Sequence, residues 1–364
     1  MIIGVLKEIK NNENRVAATP ECVREFVSHG HRVLIEENAG TGSCIEDHRF
    51  EAAGAEIIAD KYRICREANL ILKVKEPVPE EYTLFSPGQI LFTFFHFASS
   101  RRLTRAMLDA NVICIAYETV RAPDGNFPLL APMSEIAGKM ASIVGAYYLA
   151  RPLGGKGILA SPAAGVNAAR YTIVGSGNVG KAAAAVALGM EADVVILTET
   201  QRQKDEIRRL FPRASAEVAE TEQIVSCLSD TDVLIGGVYV AGDRAPRLIT
   251  RRMVRQMEPG SVIIDVSIDQ GGCVETSRPT SHSHPVYMEE GILHYCVTNM
   301  PGVFPQTSTY ALTRVVRPYA LKIADSGEKA LEDPALLKGL NIYRGRLTNP
   351  KVAAVFELPY ATFP

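Results

Sequence analysis

The chain has 364 residues, enough for about two domains that each bury a core of their own. Apolar residues make up 47% and charged residues 22%, an ordinary globular composition, and a formal net charge of −2 argues against a nucleic-acid or anionic-membrane partner. No stretch approaches about 18 uncharged apolar residues, so the sequence offers no membrane-spanning helix.

The opening MIIGVLKEIKNNENR holds one short apolar run followed by charges and does not read as a secretory signal. The 7 cysteines (Cys22, Cys44, Cys65, Cys114, Cys227, Cys273 and Cys296) are odd in number and include no CxxC pair. They read as reduced thiols of a cytoplasmic protein. IIGVLKE is a predicted strand, and PECVREFVSHG a helix stopped by Gly30. HRVLIEEN reads as a strand, ADKYRICREA as a helix and ANLILKVK as a buried strand. GQILFTFFH and NVICIAYET continue the pattern. Such alternation predicts a parallel sheet with helices on its faces.

After Pro132, PMSEIAGKMASIVGAYYLAR reads as one long connecting helix. Ser134 is the expected cap, and Ala137, Gly138, Ala141 and Gly145 form a small-residue packing face. A second series begins at RYTIVGSGNVG and runs through ADVVILTE, TDVLIGGVYV and SVIIDVSID to LHYCVTNMPG. From TSTYALTRVV onward the chain reads as helical to its end. The expected fold is α/β, with two parallel, Rossmann-like sheets linked by long helices. A discontinuous substrate domain takes residues 1–130 and 308–364, and a dinucleotide-binding domain with the connecting helix takes 131–307.

Within TIVGSGNVGKAAAAVALGMEADVVILTE, Gly175, Gly177 and Gly180 have GxGxxG spacing. The first permits a tight turn, the second lets backbone approach a pyrophosphate, and the third lets helix pack on strand. Asn178 and Val179 then open a helix whose free N–H groups face the phosphates. The spacing alone is a weak signal and equally serves a packing turn. Here an apolar strand precedes it, and an Ala-rich helix and a second strand follow, which is the context a dinucleotide site requires. The acid that reads the ribose is expected at the end of that second strand. Thr198 occupies the place, Glu199 follows it, and Arg202 and Lys204 come next, so NAD is the expected cofactor with NADP left open.

Four polar residues interrupt otherwise apolar segments. Arg15 ends the loop NNENR, Lys75 ends LILKVK, His96 ends LFTFFH, and Asp269 ends VIIDVSID before Gly271 and Gly272. Taken singly, each has a plain structural explanation: a solvated strand end, a satisfied core histidine, a turn aspartate. Jointly, three of the four fall where open αβ sheets bind ligands, at the carboxyl ends of strands. His282 and His284, in SHSHP, lie two apart on a loop without a cysteine or carboxylate cluster. They read as surface or phosphate-side residues, and no metal is expected.

These segments resemble the alanine dehydrogenase family, which is related to the NAD-binding subunit of proton-pumping transhydrogenase. The matching stretches are GVLKEIKNNENRVAATP, LKVKEP, LFTFFHFA, ICIAYETV, LLAPMSEIAGKMA, GSGNVG, APRLITRRMVRQMEPGSVIIDVSIDQGGCVETSRPTSH and HYCVTNMPGVFPQTST. They occur in the family order, from residue 1 to about 310. The resemblance implies reversible, NAD-dependent oxidative deamination of L-alanine to pyruvate and ammonia. By the same resemblance Arg15 and Lys75 hold the substrate carboxylate, which suits a guanidinium fork and a point charge. His96 is the implied acid/base or substrate-oxygen ligand, and Asp269 the implied proton acceptor that activates water. Met133, Ser134 and the NMPG turn, with Asn299 and Met300, are implied to surround the nicotinamide. A homo-hexamer is also implied.

Three positions depart from the family pattern. Phe94 stands where the family commonly has Tyr, Thr198 replaces the usual Asp, and SPAAGVNAAR replaces a more glycine-rich segment. Two alternatives stay open: a dehydrogenase acting on another amino acid or an opine, and a non-catalytic, transhydrogenase-like nucleotide-binding protein.

Overall fold

The structure, a computed structural model, describes residues 1–240 and 244–363. They form two compact units, Met1–Met133 with the chain from Gly302 onward, and Ser134–Val240 with Arg244–Pro301. In chain order the strands are β1 (Ile2–Val5), β2 (Arg32–Glu36), β3 (Glu56–Ile58), β4 (Leu70–Leu72), β5 (Ile90–Thr93) and β6 (Ile113–Ala116). There follow β7 (Arg170–Val174), β8 (Asp193–Thr198), β9 (Ser215–Val218), β10 (Val233–Gly236), β11 (Val262–Asp265), β12 (Val286–Glu289) and β13 (Ile292–Tyr295). The last two are β14 (Leu340–Tyr343) and β15 (Arg346–Leu347).

The first unit carries the sheet β15-β14-β6-β5-β4-β1-β2-β3. Its six N-terminal strands are all parallel. β4, β5 and β6 are buried along their whole length, as a sheet covered by helices on both faces demands. The helix Pro20–Ser28 starts on Thr19, whose hydroxyl accepts the Cys22 amide, and has Pro20 in its first turn. Leu34, Ile71, Leu91, Phe95, Phe97 and Met107 belong to one core cluster.

The second unit carries the sheet β12-β13-β11-β10-β7-β8-β9. Apart from the antiparallel edge strand β12, its strands are parallel. Its core joins Tyr171, Ile173, Val194, Ile196, Val233 and Ile264 to the alanines of the helix Asn178–Gly189. Glycine is required where the helix Ala131–Tyr148 crosses this core. A Cβ on Gly138 would lie 2.2 Å from the Val179 carbonyl oxygen, and one on Gly145 2.7 Å from Val233.

Stripped of β12, β14 and β15, both sheets show the same doubly wound order, 3-2-1-4-5-6. The α/β expectation holds, with three local differences. The C-terminal stretch is not helical throughout. After the helix Pro305–Ser326, β14 joins β6 antiparallel and turns back into β15. Arg344 and Gly345, at φ of 46° and 75°, make the two-residue turn that such a hairpin requires. Ser134 is not a cap, because the long helix already begins at Ala131. The strands carrying Lys75, His96 and Asp269 are shorter than the apolar runs suggest: they stop at Leu72, Thr93 and Asp265. Among the described residues no helix is long and apolar enough to cross a membrane.

Candidate functional site

Doubly wound sheets bind ligands beyond the carboxyl ends of their strands, where the strand order reverses. In the first unit the order reverses between β1 and β4, which pair with Val5 opposite Leu72. Arg15 lies in the segment that leaves β1. Lys75 stands three residues past β4, and His96 three residues past the neighbouring β5. The first unit thus brings these three exits to one edge of its sheet.

Each exit is held by a buried glutamate. Past the last ladder pair, the backbone amides of Val74 and Lys75 donate to Glu8 Oε1 at 2.6 and 3.3 Å. Those of Phe95 and His96 donate to the two oxygens of Glu118 at 3.2 and 2.6 Å. Glu13 Oε1 accepts the Arg15 amide at 3.1 Å. Carboxylates taking over the ladder's work are the physical reason the strands end early. Buried amides need partners, and a charged acceptor makes a strong one.

Arg15 is only 2% exposed. Its Nε meets Glu13 Oε1 at 2.7 Å, its Nη2 meets Oε2 at 2.5 Å, and its Nη1 reaches Met133 Sδ at 3.1 Å. Two lysines leave β4, and both are buried. Lys73 is enclosed, with Nζ 2.9 Å from Glu81 and 3.3 Å from Glu8. Burial works against its ammonium, but the two carboxylates outweigh burial and push its pKa up. Burial pushes the Glu8 carboxyl up, with Lys73 opposing. Lys75 is 6% exposed, and its ammonium makes no ion pair or side-chain hydrogen bond among the described residues. An unpaired buried cation is costly, which makes it a candidate anion site. Burial also raises the neighbouring Glu76, yet Lys75, Lys10 and His96 together hold its carboxyl below the usual range.

His96 takes the left-handed conformation, φ 49° and ψ 43°. For a residue with a Cβ this costs about 1–2 kcal/mol. Its ring stacks on Phe94, 5.8 Å between centroids with planes 3° apart, and Phe94 packs edge-on against Tyr117. The half-buried imidazole has no hydrogen bond among the described residues.

In the second unit the strand order reverses between β7 and β10, at the glycine turn. Gly175 has φ 104°, and a Cβ there would lie 2.6 Å from the Gly237 carbonyl oxygen. A Cβ on Gly180 would lie 1.9 Å from the Gly175 oxygen. Gly177 differs, because a Cβ there meets nothing within 4 Å. It precedes the helix Asn178–Gly189 without a side-chain cap. The open flank of Gly177 and the uncapped amides behind it fit a dinucleotide pyrophosphate. Asn178 is exposed and Val179 half-buried.

At the end of β8, Thr198 is fully buried, and its hydroxyl is within 3.2 Å of the Thr200 and Glu217 carbonyl oxygens, to one of which it donates. The exposed carboxylate at this strand end is Glu199. Lys204 is engaged by Glu217 at 2.6 Å, and Arg202 is exposed.

Asp269 sits in the 3-10 turn Val266–Gln270, exposed, and accepts the Asn299 amide at 3.2 Å. Asn299 is left-handed, φ 59°, and Met300 beside it is buried in the core. The turn is knotted by Asp265. That carboxylate accepts the amides of Ser267, Cys273 and Val274 at 3.1, 2.9 and 3.1 Å. Burial pushes its carboxyl up against these donors. Ser134 is half-buried in the first turn of its helix. His282 Nε2 lies 3.4 Å from the Asn299 oxygen. No group of three or more possible metal ligands occurs among the described residues.

The sequence singled out the cations but not Glu8, Glu13, Lys73, Glu118 or Asp265. Glu118 and Asp265 carried the signal used for Lys75, a charge at the end of an apolar strand. Glu8 and Glu13 lie among other charges in LKEIKNNEN, and nothing local distinguishes them.

Two doubly wound units, one opened by a glycine turn with a clear flank, are the architecture of a nucleotide-binding dehydrogenase. Residues 4–137 match the family description "Alanine dehydrogenase/PNT, N-terminal domain", and residues 141–350 match its C-terminal domain. The chain is 49% identical to an alanine dehydrogenase of Methanococcus maripaludis, over 99% of this chain and 98% of that protein. A solved L-alanine dehydrogenase superposes with a TM-score of 0.93 at 44% identity, covering 98% of this chain and 99% of that one. A transhydrogenase from Sinorhizobium meliloti gives 0.80 at 25% identity, covering 96% and 99%. The chain belongs to the alanine dehydrogenase/PNT family.

Proposed function

We propose that this protein is an L-alanine dehydrogenase that uses NAD and converts alanine and water to pyruvate and ammonium, reversibly. The observation that carries the reading is the pair of buried cations at the first unit's sheet edge. Arg15 has its fork pre-set by Glu13, and the Lys75 ammonium has no ion-pair partner of its own among the described residues. An α-carboxylate supplies the missing charge, and 49% identity to an alanine dehydrogenase over 98% of its length supports the same activity.

When bound, the nicotinamide accepts a hydride from the substrate α-carbon. The backbone at Gly175, Gly177, Asn178, Val179 and Gly180 holds the pyrophosphate, and Glu199 accepts from the ribose hydroxyls and repels a 2′-phosphate. Met133, Ser134, Asn299 and Met300 bound the nicotinamide end. Arg15 and Lys75 fix the substrate carboxylate, and His96 hydrogen-bonds the substrate oxygen that forms. Asp269 takes the amine proton and passes it to solvent, then takes a proton from the water that adds to the imine carbon and returns it to the nitrogen, which leaves as ammonia and takes up the hydroxyl proton to become ammonium. We also propose a cytoplasmic homo-oligomer, a hexamer.

The test is absorbance at 340 nm with a panel of amino acids and both dinucleotides. Turnover is expected with L-alanine and NAD above all others, and Asp269→Ala should lower it by about 10²–10⁴-fold, as for lost acid–base help. Dinucleotide binding without oxidation of any amino acid would contradict the reading in favour of a transhydrogenase-like binder.

A further inference from the structure

We infer that Glu118 is a positioning residue for the reaction, which acts by holding His96 in its left-handed conformation. The inference rests on the reading of His96 as the group that meets the substrate oxygen. β5 and β6 pair in register as far as Thr93 and Ala116. Beyond them the ladder stops. The buried Glu118 carboxylate, on the 3-10 turn Tyr117–Thr119, reaches across 22 residues of sequence to take two successive amides, one oxygen for each.

The carboxylate fixes the two peptides that lead into His96, and the Ser99 amide, donating to the His96 carbonyl oxygen at 2.8 Å, fixes the one that leaves it, so the strained φ is held from both sides. A histidine left to itself relaxes to negative φ, and its ring then leaves the stack on Phe94. Because the imidazole has no hydrogen bond among the described residues, the backbone and that stack aim it, with the Glu76 charge nearby. Glu118 touches no reacting atom in this account. It acts through the residue that does.

Glu118→Gln separates this role from simple support. The amide offers one acceptor, so one of the two N–H groups faces a donor instead. The experiment is a double-mutant cycle on kcat with saturating alanine and NAD, using Glu118→Gln, His96→Ala and the double variant. The wild-type protein serves as reference. If it does not oxidise alanine, the functional reading fails before the cycle begins.

Glu118→Gln is expected to lower kcat about tenfold or more in the wild-type background, with the KM for NAD unchanged. In the His96→Ala background, where no ring remains to be aimed, it should change kcat less than about twofold. Glu118→Asp keeps both acceptor oxygens and should recover part of the loss. It also runs the same cycle should the glutamine variant not fold. Equal losses in both backgrounds, or wild-type turnover in Glu118→Gln, overturn the inference.

Discussion

The two units share a strand order and use it differently. Where the order reverses in the first unit, the chain supplies charged side chains: Arg15 and Lys75, with Glu8, Glu13 and Glu118 behind them. Where it reverses in the second, the chain supplies backbone: Gly175, Gly177 and Gly180, with uncapped helix amides. On the proposed function the difference follows from what each unit recognises. A small carboxylate offers one full charge at one place, and buried cations in fixed geometry select it. A dinucleotide is long, and backbone must approach it closely, so side chains are removed. Rigidity also comes from different sources. In the first unit buried carboxylates hold the exits, while in the second a Cβ at Gly175 or Gly180 would collide with backbone.

The comparison breaks most visibly at Glu13. Its carboxylate is fully buried against a guanidinium that is 2% exposed. Glu13→Ala leaves that cation in place without its main partner, and breaking a buried pair in this way costs about 3–5 kcal/mol. Chemical denaturation should show that loss. A loss under about 1 kcal/mol would mean the pair is not what holds the exit of β1.

A far smaller effect is expected at the second unit's surface network, where Glu290 meets Arg251 at 2.5 Å and Arg255 at 2.9 Å. Hydrogen bonds from Arg255 and then Arg251 hold its carboxyl at about 2, below the ordinary 4.5. A depressed carboxylate stabilises the fold above the unfolded value, and that contribution disappears as pH falls from about 4.5 toward about 2. Glu290→Gln should therefore lower Tm slightly near neutrality and converge with the wild type as pH falls toward about 2, which flattens the fall of Tm with acid in that window. An unaltered acid slope would contradict the assignment.

What was legible in the sequence follows the range of each constraint. The glycine turn is written in six residues, because its contacts are local: Gly180 packs on Gly175. The charges at Arg15, Lys75, His96 and Asp269 stood out because they interrupt apolar runs. Their supports did not. Glu8 serves an amide 66 residues away and Glu118 one 22 residues away, and no periodicity links such pairs. Lys73 and Lys75 look alike in LILKVK. Only the fold shows that one is enclosed by two carboxylates and the other is not. Thr198 stood in the expected place of the ribose acid, but the last residue of β8 turns inward and leaves Glu199 outside. The β14–β15 hairpin was hidden because LNIYRGRL is short, and its turn places an arginine, not the usual asparagine, at positive φ.

The division of labour between the units is tested most directly by comparing Lys75→Met with Gly177→Ala, reading KM for both substrates and apo Tm. Lys75 is in no ion pair among the described residues, and Glu76, whose carboxyl it helps to hold down, keeps its ion pair with Lys10, so its replacement should largely spare Tm. It should raise the KM for alanine about ten- to a hundredfold, the worth of a charged hydrogen bond, and leave the KM for NAD alone. Gly177→Ala meets open space in the protein, so it should also spare Tm, but raise the KM for NAD and not for alanine. A Lys75→Met enzyme with wild-type affinity for alanine, or with both KM values raised together, would contradict the account.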